Sequence, residues 1–356
     1  MRPANDTPVN PANDTPGRPA NDTPRALDRP WTERFVQAGG IRFHLIEQGR
    51  GPLVILLHGF PHVTVSWSKT MAGLAKAGFR AVALTQRGYG QTGQVGDTSQ
   101  YTIFHLAGDV VAVVDVLLAE GEGNTQGERV ALLGQDWGAI VAWHCALFRP
   151  DRFRAVAALA APYMPRSDLP PTQRIGGFVG ERHFYTLHFQ TPGLAEREFT
   201  AMDLRETFRR LLYGASGDAP AQHRVRPTGP QGMPLFEGTV DPVELPPWLD
   251  QELIDAYAEE FGRTGFTGAL NWYRAMDLNW SLTAPFAGAR IQVPALYLYG
   301  EQDPMMPYFR RYIIHLKRNV ANLSGSIPIA GAGHVLHLER TDEVLARVVP
   351  FFRAIA

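Results

Sequence analysis

Short continuous apolar runs alternate with amphipathic stretches over the first half of the chain. Residues 53–57 (LVILL), 81–84 (AVAL) and 155–159 (AVAAL) are apolar at every position, which is typical of strands buried on both faces of a sheet. Residues 63–76 and 101–120, which lie between these runs, have the apolar spacing of helices. This alternation predicts an α/β fold with a mostly parallel, doubly wound sheet.

The alternation is interrupted in the second half of the chain. From residue 164 to about 285 the pattern is helical and aromatic, and segments rich in Gly and Pro divide it. Strand patterns resume at 293–299 and 326–329. We therefore predict an α/β core formed by residues 31–163 and 286–356. The intervening residues 164–285 are predicted to form a helical cap over the carboxyl ends of the strands, where ligands of open α/β sheets bind.

The first thirty residues differ from the rest of the chain. They contain the hexapeptide PANDTP three times, beginning at Pro3, Pro11 and Pro19. A segment of this composition cannot bury enough apolar surface to offset the entropy of ordering. Residues 1–30 are therefore predicted to be a disordered low-complexity tail.

Composition narrows the classes of function. Of the 356 residues, 45% are hydrophobic and 19% are charged, which suits a globular protein with a large core. The formal net charge of -1 gives no electrostatic basis for binding nucleic acid or an anionic membrane. No apolar stretch is long enough to span a bilayer and no leader pattern opens the chain, so a cytoplasmic location is expected. The single cysteine, Cys145, is expected to be a buried small hydrophobic residue.

Residues 134–138 (GQDWG) place a carboxylate, Asp136, between a predicted strand and a predicted helix. Small residues around a central nucleophile at a strand-to-helix turn are typical of a nucleophile elbow. Such a turn pushes the central side chain out of the sheet above the N-terminus of the helix. Aspartate at this position predicts an enzyme that attacks carbon with an ionised oxygen and carries the resulting ester on its own side chain.

Two further polar residues follow predicted strands and should lie at the same edge of the sheet. Asp303 comes after the strand pattern at 293–299, and His334 comes after the next one. The chain order Asp136, Asp303, His334 is the nucleophile, acid and histidine order of α/β-hydrolases. We expect Asp303 to orient the ring of His334 and to stabilise its protonated form.

The loop at residues 58–61 (HGFP) follows the first buried strand. Its backbone can turn the N–H of Phe60 toward the elbow, where it would meet the N–H of Trp137. Two fixed donors of this kind form an oxyanion hole. His58 itself is interpreted as a residue that braces the loop.

Three further segments, together with the motifs described above, indicate a resemblance to one known family. Residues 87–90 (RGYG) lie in the predicted core, and residues 184–196 (FYTLHFQTPGLAE) and 268–274 (GALNWYR) lie in the predicted cap. Together with the HGFP and GQDWG motifs, they resemble segments of the epoxide hydrolases of the α/β-hydrolase superfamily, from about Trp31 to the C-terminus.

That resemblance implies the remaining site residues and the reaction. By the match of the two cap segments, Tyr185 and Tyr273 are the pair that protonates the epoxide oxygen as the ring opens. The implied reaction adds water to an apolar epoxide and gives a vicinal diol through an ester on Asp136. A small-molecule epoxide is the expected partner, and neither a metal nor an organic cofactor is expected.

Two alternative functions stay open at this stage. A haloalkane dehalogenase also uses an Asp nucleophile, often followed by Trp, but halide leaves without a proton and gives the cap tyrosines no role. A catalytically silent hydrolase fold that binds a ligand usually lacks part of the triad, whereas this chain has all of it. Residues 88–93 match the spacing Gly-x-Gly-x-x-Gly, but polar residues rather than a helix follow, which disfavours a nucleotide site.

Overall fold

The computed structural model describes residues 30–93, 95–120 and 128–355. The predicted low-complexity tail, apart from Pro30, lies outside the described residues. Eight strands form the main sheet: β1 (Thr32–Ala38), β2 (Ile41–Gln48), β3 (Leu53–Leu57), β4 (Arg80–Leu84), β5 (Val130–Gln135), β6 (Phe153–Leu159), β9 (Ala295–Gly300) and β10 (Leu323–Ile329). Two short strands, β7 (His183–Phe184) and β8 (Thr228–Gly229), form a separate antiparallel pair.

The main sheet has the order β1-β2-β4-β3-β5-β6-β9-β10. The pairs β1–β2 and β2–β4 are antiparallel, and the remaining pairs are parallel. Leu57 pairs with Gly134, and Gly134 pairs with Ala158, so the carboxyl ends of three central strands lie at one level. The predicted fold class, an α/β-hydrolase fold with a mostly parallel doubly wound sheet, is confirmed.

Helices connect and cover the strands of the described chain. They are α1 (Ser68–Lys76), α2 (Ile103–Ala119), α3 (Trp137–Phe148), α4 (Pro171–Val179), α5 (Tyr185–His188), α6 (Leu194–Phe199), α7 (Leu204–Ala215), α8 (Gln251–Thr264), α9 (Thr267–Arg274), α10 (Met276–Leu282), α11 (Met306–Ile314), α12 (Leu316–Asn319), α13 (Leu336–Glu339) and α14 (Thr341–Arg353). Among these, none combines the length and hydrophobicity needed to cross a membrane.

Both faces of the sheet are covered, which explains why its inner strands are apolar at every position. On one face Val113 of α2 and Trp143 of α3 join a large hydrophobic cluster. On the other face Met71 of α1 and Phe352 of α14 join a second cluster. Helices α4 to α10 all fall between β6 and β9 in the chain. The chain from Trp31 onward forms one compact unit, and the assignment of 164–285 as a separate cap stays a prediction.

Local differences from the sequence pattern have simple causes. Strand β1 was not predicted, because charged residues in Thr32–Ala38 mask its alternation at the edge of the sheet. The helix expected over 63–76 begins as a 3-10 turn at Thr64–Trp67 before α1. The strand expected from residue 293 begins at Ala295, because Pro294 has no N–H for the ladder.

Candidate active site

Asp136 lies at a sharp turn between β5 and α3. Its backbone has φ 53° and ψ -121°, a conformation that is strained for any residue with a side chain. The turn is possible because glycines lie two residues before and two residues after Asp136, at Gly134 and Gly138. A Cβ on Gly138 would lie 1.9 Å from the carbonyl oxygen of Leu57, and a Cβ on Gly134 would lie 2.3 Å from that of Gly138. This geometry is that of a nucleophile elbow, which presents one side chain above the sheet.

Backbone donors surround the Asp136 carboxylate. The N–H of Phe60, just after β3, donates to Oδ1 of Asp136 over 2.9 Å. Trp137 is the first residue of α3, so its N–H makes no hydrogen bond within the helix. The positive end of the α3 dipole also lies under Asp136 and favours a negative charge there.

His334 and Asp303 complete a chain of polar contacts with Asp136. Nε2 of His334 lies 3.4 Å from Oδ2 of Asp136, and its Nδ1 lies 2.9 Å from Oδ2 of Asp303. Asp303, which follows β9, is 3% exposed, and its Oδ1 accepts the N–H of Met305 over 2.7 Å. The structure therefore brings together the three residues that the sequence predicted as a triad.

Two carboxylates control the protonation of His334. Burial by itself lowers the pKa of the imidazole, but the charges of Asp303 and Asp136 and their hydrogen bonds raise it well above its usual 6.5. The imidazole therefore holds a proton strongly while Asp136 is charged. Neutralisation of the Asp136 carboxylate would remove one cause of the raised pKa and favour the neutral imidazole, which can withdraw a proton from water.

Tyr185 and Tyr273 approach the carboxylate from helices outside the sheet. Tyr185 begins α5, Tyr273 lies on α9, and their ring centroids are 6.0 Å apart. The side-chain amide of Gln190 donates to the carbonyl oxygens of Thr186 and Tyr273, at 2.9 and 3.1 Å, and joins the two segments. Burial, with the charge of Asp136, raises the pKa of both phenols above 10, so both stay protonated at neutral pH.

The indole of Trp137 is engaged with one of these phenols. Its ring centroid lies 5.1 Å from that of Tyr273 at an interplanar angle of 83°, so the two rings pack edge to face. The indole thereby supports the Tyr273 ring beside the Asp136 carboxylate.

Two cavities meet at the catalytic carboxylate. The larger, of about 330 Å³, runs under α4 and α10, and the smaller, of about 130 Å³, includes His334 and Asp303. Asp136, Tyr185 and Tyr273 line both. Their walls are mainly apolar and aromatic, and the larger cavity also has guanidinium groups in its wall. A ligand centred on Asp136 can extend one substituent into each cavity.

Two buried histidines near the site were not singled out by the sequence. His62, which is 1% exposed, lines the smaller cavity, and its Nδ1 lies 2.5 Å from the hydroxyl of Tyr257. His337 packs its ring 4.8 Å from that of His62. Burial lowers the pKa of His62 well below 6.5 and that of His337 to about 3, so both are neutral.

Comparisons with known proteins agree with this geometry. A family model for the alpha/beta hydrolase fold matches residues 52–341. Epoxide hydrolase A of Mycobacterium tuberculosis is 40% identical over 327 residues, which are 90% of this chain and 97% of the relative. Epoxide hydrolase 3 of Siraitia grosvenorii is 38% identical over 89% of this chain and 96% of its own. The chain belongs to the epoxide hydrolases.

Solved structures of epoxide hydrolases have the same fold. An epoxide hydrolase from an endophytic Streptomyces superposes with a TM-score of 0.85 at 35% identity, over 92% of this chain and 96% of the other. Epoxide hydrolase A from Mycobacterium thermoresistibile gives a TM-score of 0.83 at 39% identity, over 92% and 99% of the two chains. These comparisons confirm the resemblance to epoxide hydrolases that the sequence motifs indicated.

Proposed function

We propose that this protein adds water to an epoxide and releases a vicinal diol, with the substrate carried as an ester on Asp136 between the two steps. The observation that carries the proposal is that a nucleophile and two proton donors line the same cavity. An elbow carboxylate faces two buried phenols that keep their protons. Nucleophile and acid are thus held on opposite sides of the place where an epoxide would lie.

In the first step, one oxygen of Asp136 attacks an epoxide carbon, and the ring C–O bond breaks. The departing oxygen takes a proton from Tyr185 or Tyr273, so it leaves as a hydroxyl group and not as an alkoxide. No general base takes part in this step, because the carboxylate is itself the nucleophile. We assign to residues 164–285 the role of a cap, since both phenols come from helices of that segment.

In the second step, His334 takes a proton from water, and the resulting hydroxide attacks the carbonyl carbon of the Asp136 ester. Asp303 stabilises the imidazolium that forms. The N–H groups of Phe60 and Trp137 are proposed to stabilise the oxyanion of the tetrahedral intermediate. Its collapse breaks the bond between the Asp136 carbonyl carbon and the substrate oxygen, which takes up the proton of the added hydroxide, so the diol and the carboxylate are released. The imidazolium of His334 then returns its proton to the phenol that lost one in the first step. No step requires a metal or an organic cofactor.

The cavities support an apolar epoxide as substrate. Apolar and aromatic side chains form most of both walls, so burial of hydrocarbon substituents would provide most of the binding free energy. Because the cavities lie on either side of Asp136, an epoxide with a substituent on each carbon fits them better than a terminal one.

The dehalogenase alternative is disfavoured by the same contacts. Tyr185 and Tyr273 line both cavities beside Asp136. A halide leaves without a proton, so the two buried phenols beside the nucleophile would have no role as acids. A catalytically silent ligand-binding protein would not need the 3.4 and 2.9 Å contacts that connect Asp136, His334 and Asp303.

Intact-mass spectrometry of the His334→Ala variant tests the proposal. The variant should gain the mass of one epoxide, because ester formation does not use the imidazole and ester hydrolysis does. The double variant His334→Ala with Asp136→Ala is the control and should gain nothing. A 1-haloalkane should release no halide with the wild type. Diol production by Asp136→Ala at the wild-type rate would refute the covalent route.

A further inference from the structure

Glu339 is a buried carboxylate that the proposed chemistry leaves unused. It ends α13, five positions after His334, and is 7% exposed. Its Oε2 accepts two backbone N–H groups, from Gly333 over 2.9 Å and from Gly217 over 2.7 Å. One side-chain oxygen therefore connects two segments that lie more than a hundred residues apart in the chain.

Both segments bear on the catalytic histidine. Gly333 directly precedes His334, and Gly217 lies two residues after the end of α7. The N–H of His334 itself donates to the carbonyl oxygen of Ala215 over 2.8 Å. The backbone that leads into the His334 Cα is thus fixed to residues 215–217, directly at the N–H of His334 and through Glu339 at the N–H of Gly333.

The two segments are in direct backbone contact. A Cβ on Gly217 would lie 2.0 Å from the carbonyl oxygen of Gly331, and a Cβ on Gly333 would lie 2.4 Å from that of Ala215. No side chain fits between them. A shift of either backbone is therefore transmitted to the position of the His334 ring.

We propose that Glu339 is a positioning residue for His334 and acts by joining the histidine loop to residues 215–217. The inference rests on the proposed two-step reaction. Ester hydrolysis requires the Nε2 of His334 at a water that faces the ester, whereas ester formation requires no proton transfer to the imidazole. Loss of the two hydrogen bonds at Glu339 should therefore slow the second step and leave the first step unchanged.

Charged groups near Glu339 do not provide a simpler role for it. Arg340, the next residue, pairs with Asp218 at 3.1 Å and approaches Glu343 at 4.0 Å. Arg224 donates to the carbonyl oxygens of Gly217 and Ala219 and to the side chain of Gln302. These groups bind other partners, and the Glu339 carboxylate accepts hydrogen bonds from the backbone N–H groups of Gly217 and Gly333.

The test separates acceptor geometry from charge. Glu339→Leu removes the acceptor at similar volume, Glu339→Gln keeps an oxygen acceptor without the charge, and Glu339→Asp keeps the charge but withdraws the oxygen. Glu343→Leu is the matched control, because Glu343 is exposed and its carboxylate lies 4.0 Å from the Arg340 side chain. In rapid-quench experiments with an excess of enzyme over epoxide, ester formation and ester decay are followed separately by intact mass. Only folded enzyme forms the ester, so its decay is independent of any misfolded fraction.

We expect the Leu and Asp variants to hydrolyse the ester at least about tenfold more slowly, as loss of buried hydrogen bonds that position His334 would give. Ester formation should stay within about threefold of the wild type, and the Gln variant should stay within about threefold in both steps. If the Leu variant does not fold, the Asp variant decides. Unchanged ester decay, or an equal decrease in both steps, would overturn the inference. A wild type that makes diol without any ester would refute the proposed function itself.

Discussion

Replacing Glu339 by Gln should change how the stability of the protein depends on pH. Burial raises the pKa of the Glu339 carboxyl from 4.5 to about 7, and the N–H groups of Gly217 and Gly333 only partly oppose this. Between these two values the folded protein keeps a proton that the unfolded chain releases. The free energy of unfolding therefore falls as pH rises through this window, and the loss is complete above the folded pKa.

The size of the effect follows from the two pKa values. Linkage gives a decrease of about 2.5 kcal/mol in the wild-type unfolding free energy between pH 5 and pH 8 from this one group. Gln does not titrate, so its variant lacks this term. The unfolding free energy of the variant minus that of the wild type should therefore be about 2.5 kcal/mol larger at pH 8 than at pH 5.

Urea unfolding of both proteins at several pH values, followed by tryptophan fluorescence, measures this difference. His334 and the other titrating groups contribute equally to both proteins and cancel when the two curves are subtracted. A difference that stays constant within about 0.5 kcal/mol from pH 5 to pH 8 would refute the reasoning, because it would mean that residue 339 does not titrate in this range. A change in the opposite direction would show that the carboxylate is stabilised rather than destabilised by the fold.

Three further predictions concern the proposed chemistry. Asp303→Asn should accumulate ester and should move the rise of the hydrolysis rate to lower pH, because His334 must be neutral to act and loses the carboxylate that raises its pKa; an unshifted pH profile in stopped-flow assays would contradict this. Replacing Tyr185 and Tyr273 together by Phe should suppress ester formation by at least about 100-fold, and normal adduct formation in a mass assay would exclude their role as acids. Prolonged dialysis against a chelator should leave the rate of diol formation unchanged, and a loss that added metal restores would show that a metal takes part.

Much of the fold followed from local patterns. The apolar runs of β3 and β6 are buried on both faces of the sheet, and this property appears directly in their composition. The triad could also be predicted, because turn chemistry and chain order identify Asp136, Asp303 and His334 without any distance information. Edge strand β1 was missed, since a strand with a solvated face and charged ends has a weak pattern.

Contacts between distant segments could not be predicted in this way. Nothing in the residues around Glu339 shows that its carboxylate accepts the N–H of Gly217, because that contact depends on how the end of α7 meets the histidine loop. The edge-to-face contact between Trp137 and Tyr273 likewise depends on the packing of α9 over the elbow. The two tyrosines were found only by resemblance to a family, since a buried Tyr has no local signal of catalysis.

The covalent ester on Asp136 is tested most directly by one turnover in water labelled with heavy oxygen. With enzyme in excess over epoxide, the oxygen added to the first diol should come from the Asp136 carboxylate, so the diol should be unlabelled. The label should instead appear in a peptide that contains Asp136. A first-turnover diol that carries the label in full, with an unlabelled Asp136, would show that water attacks the epoxide directly.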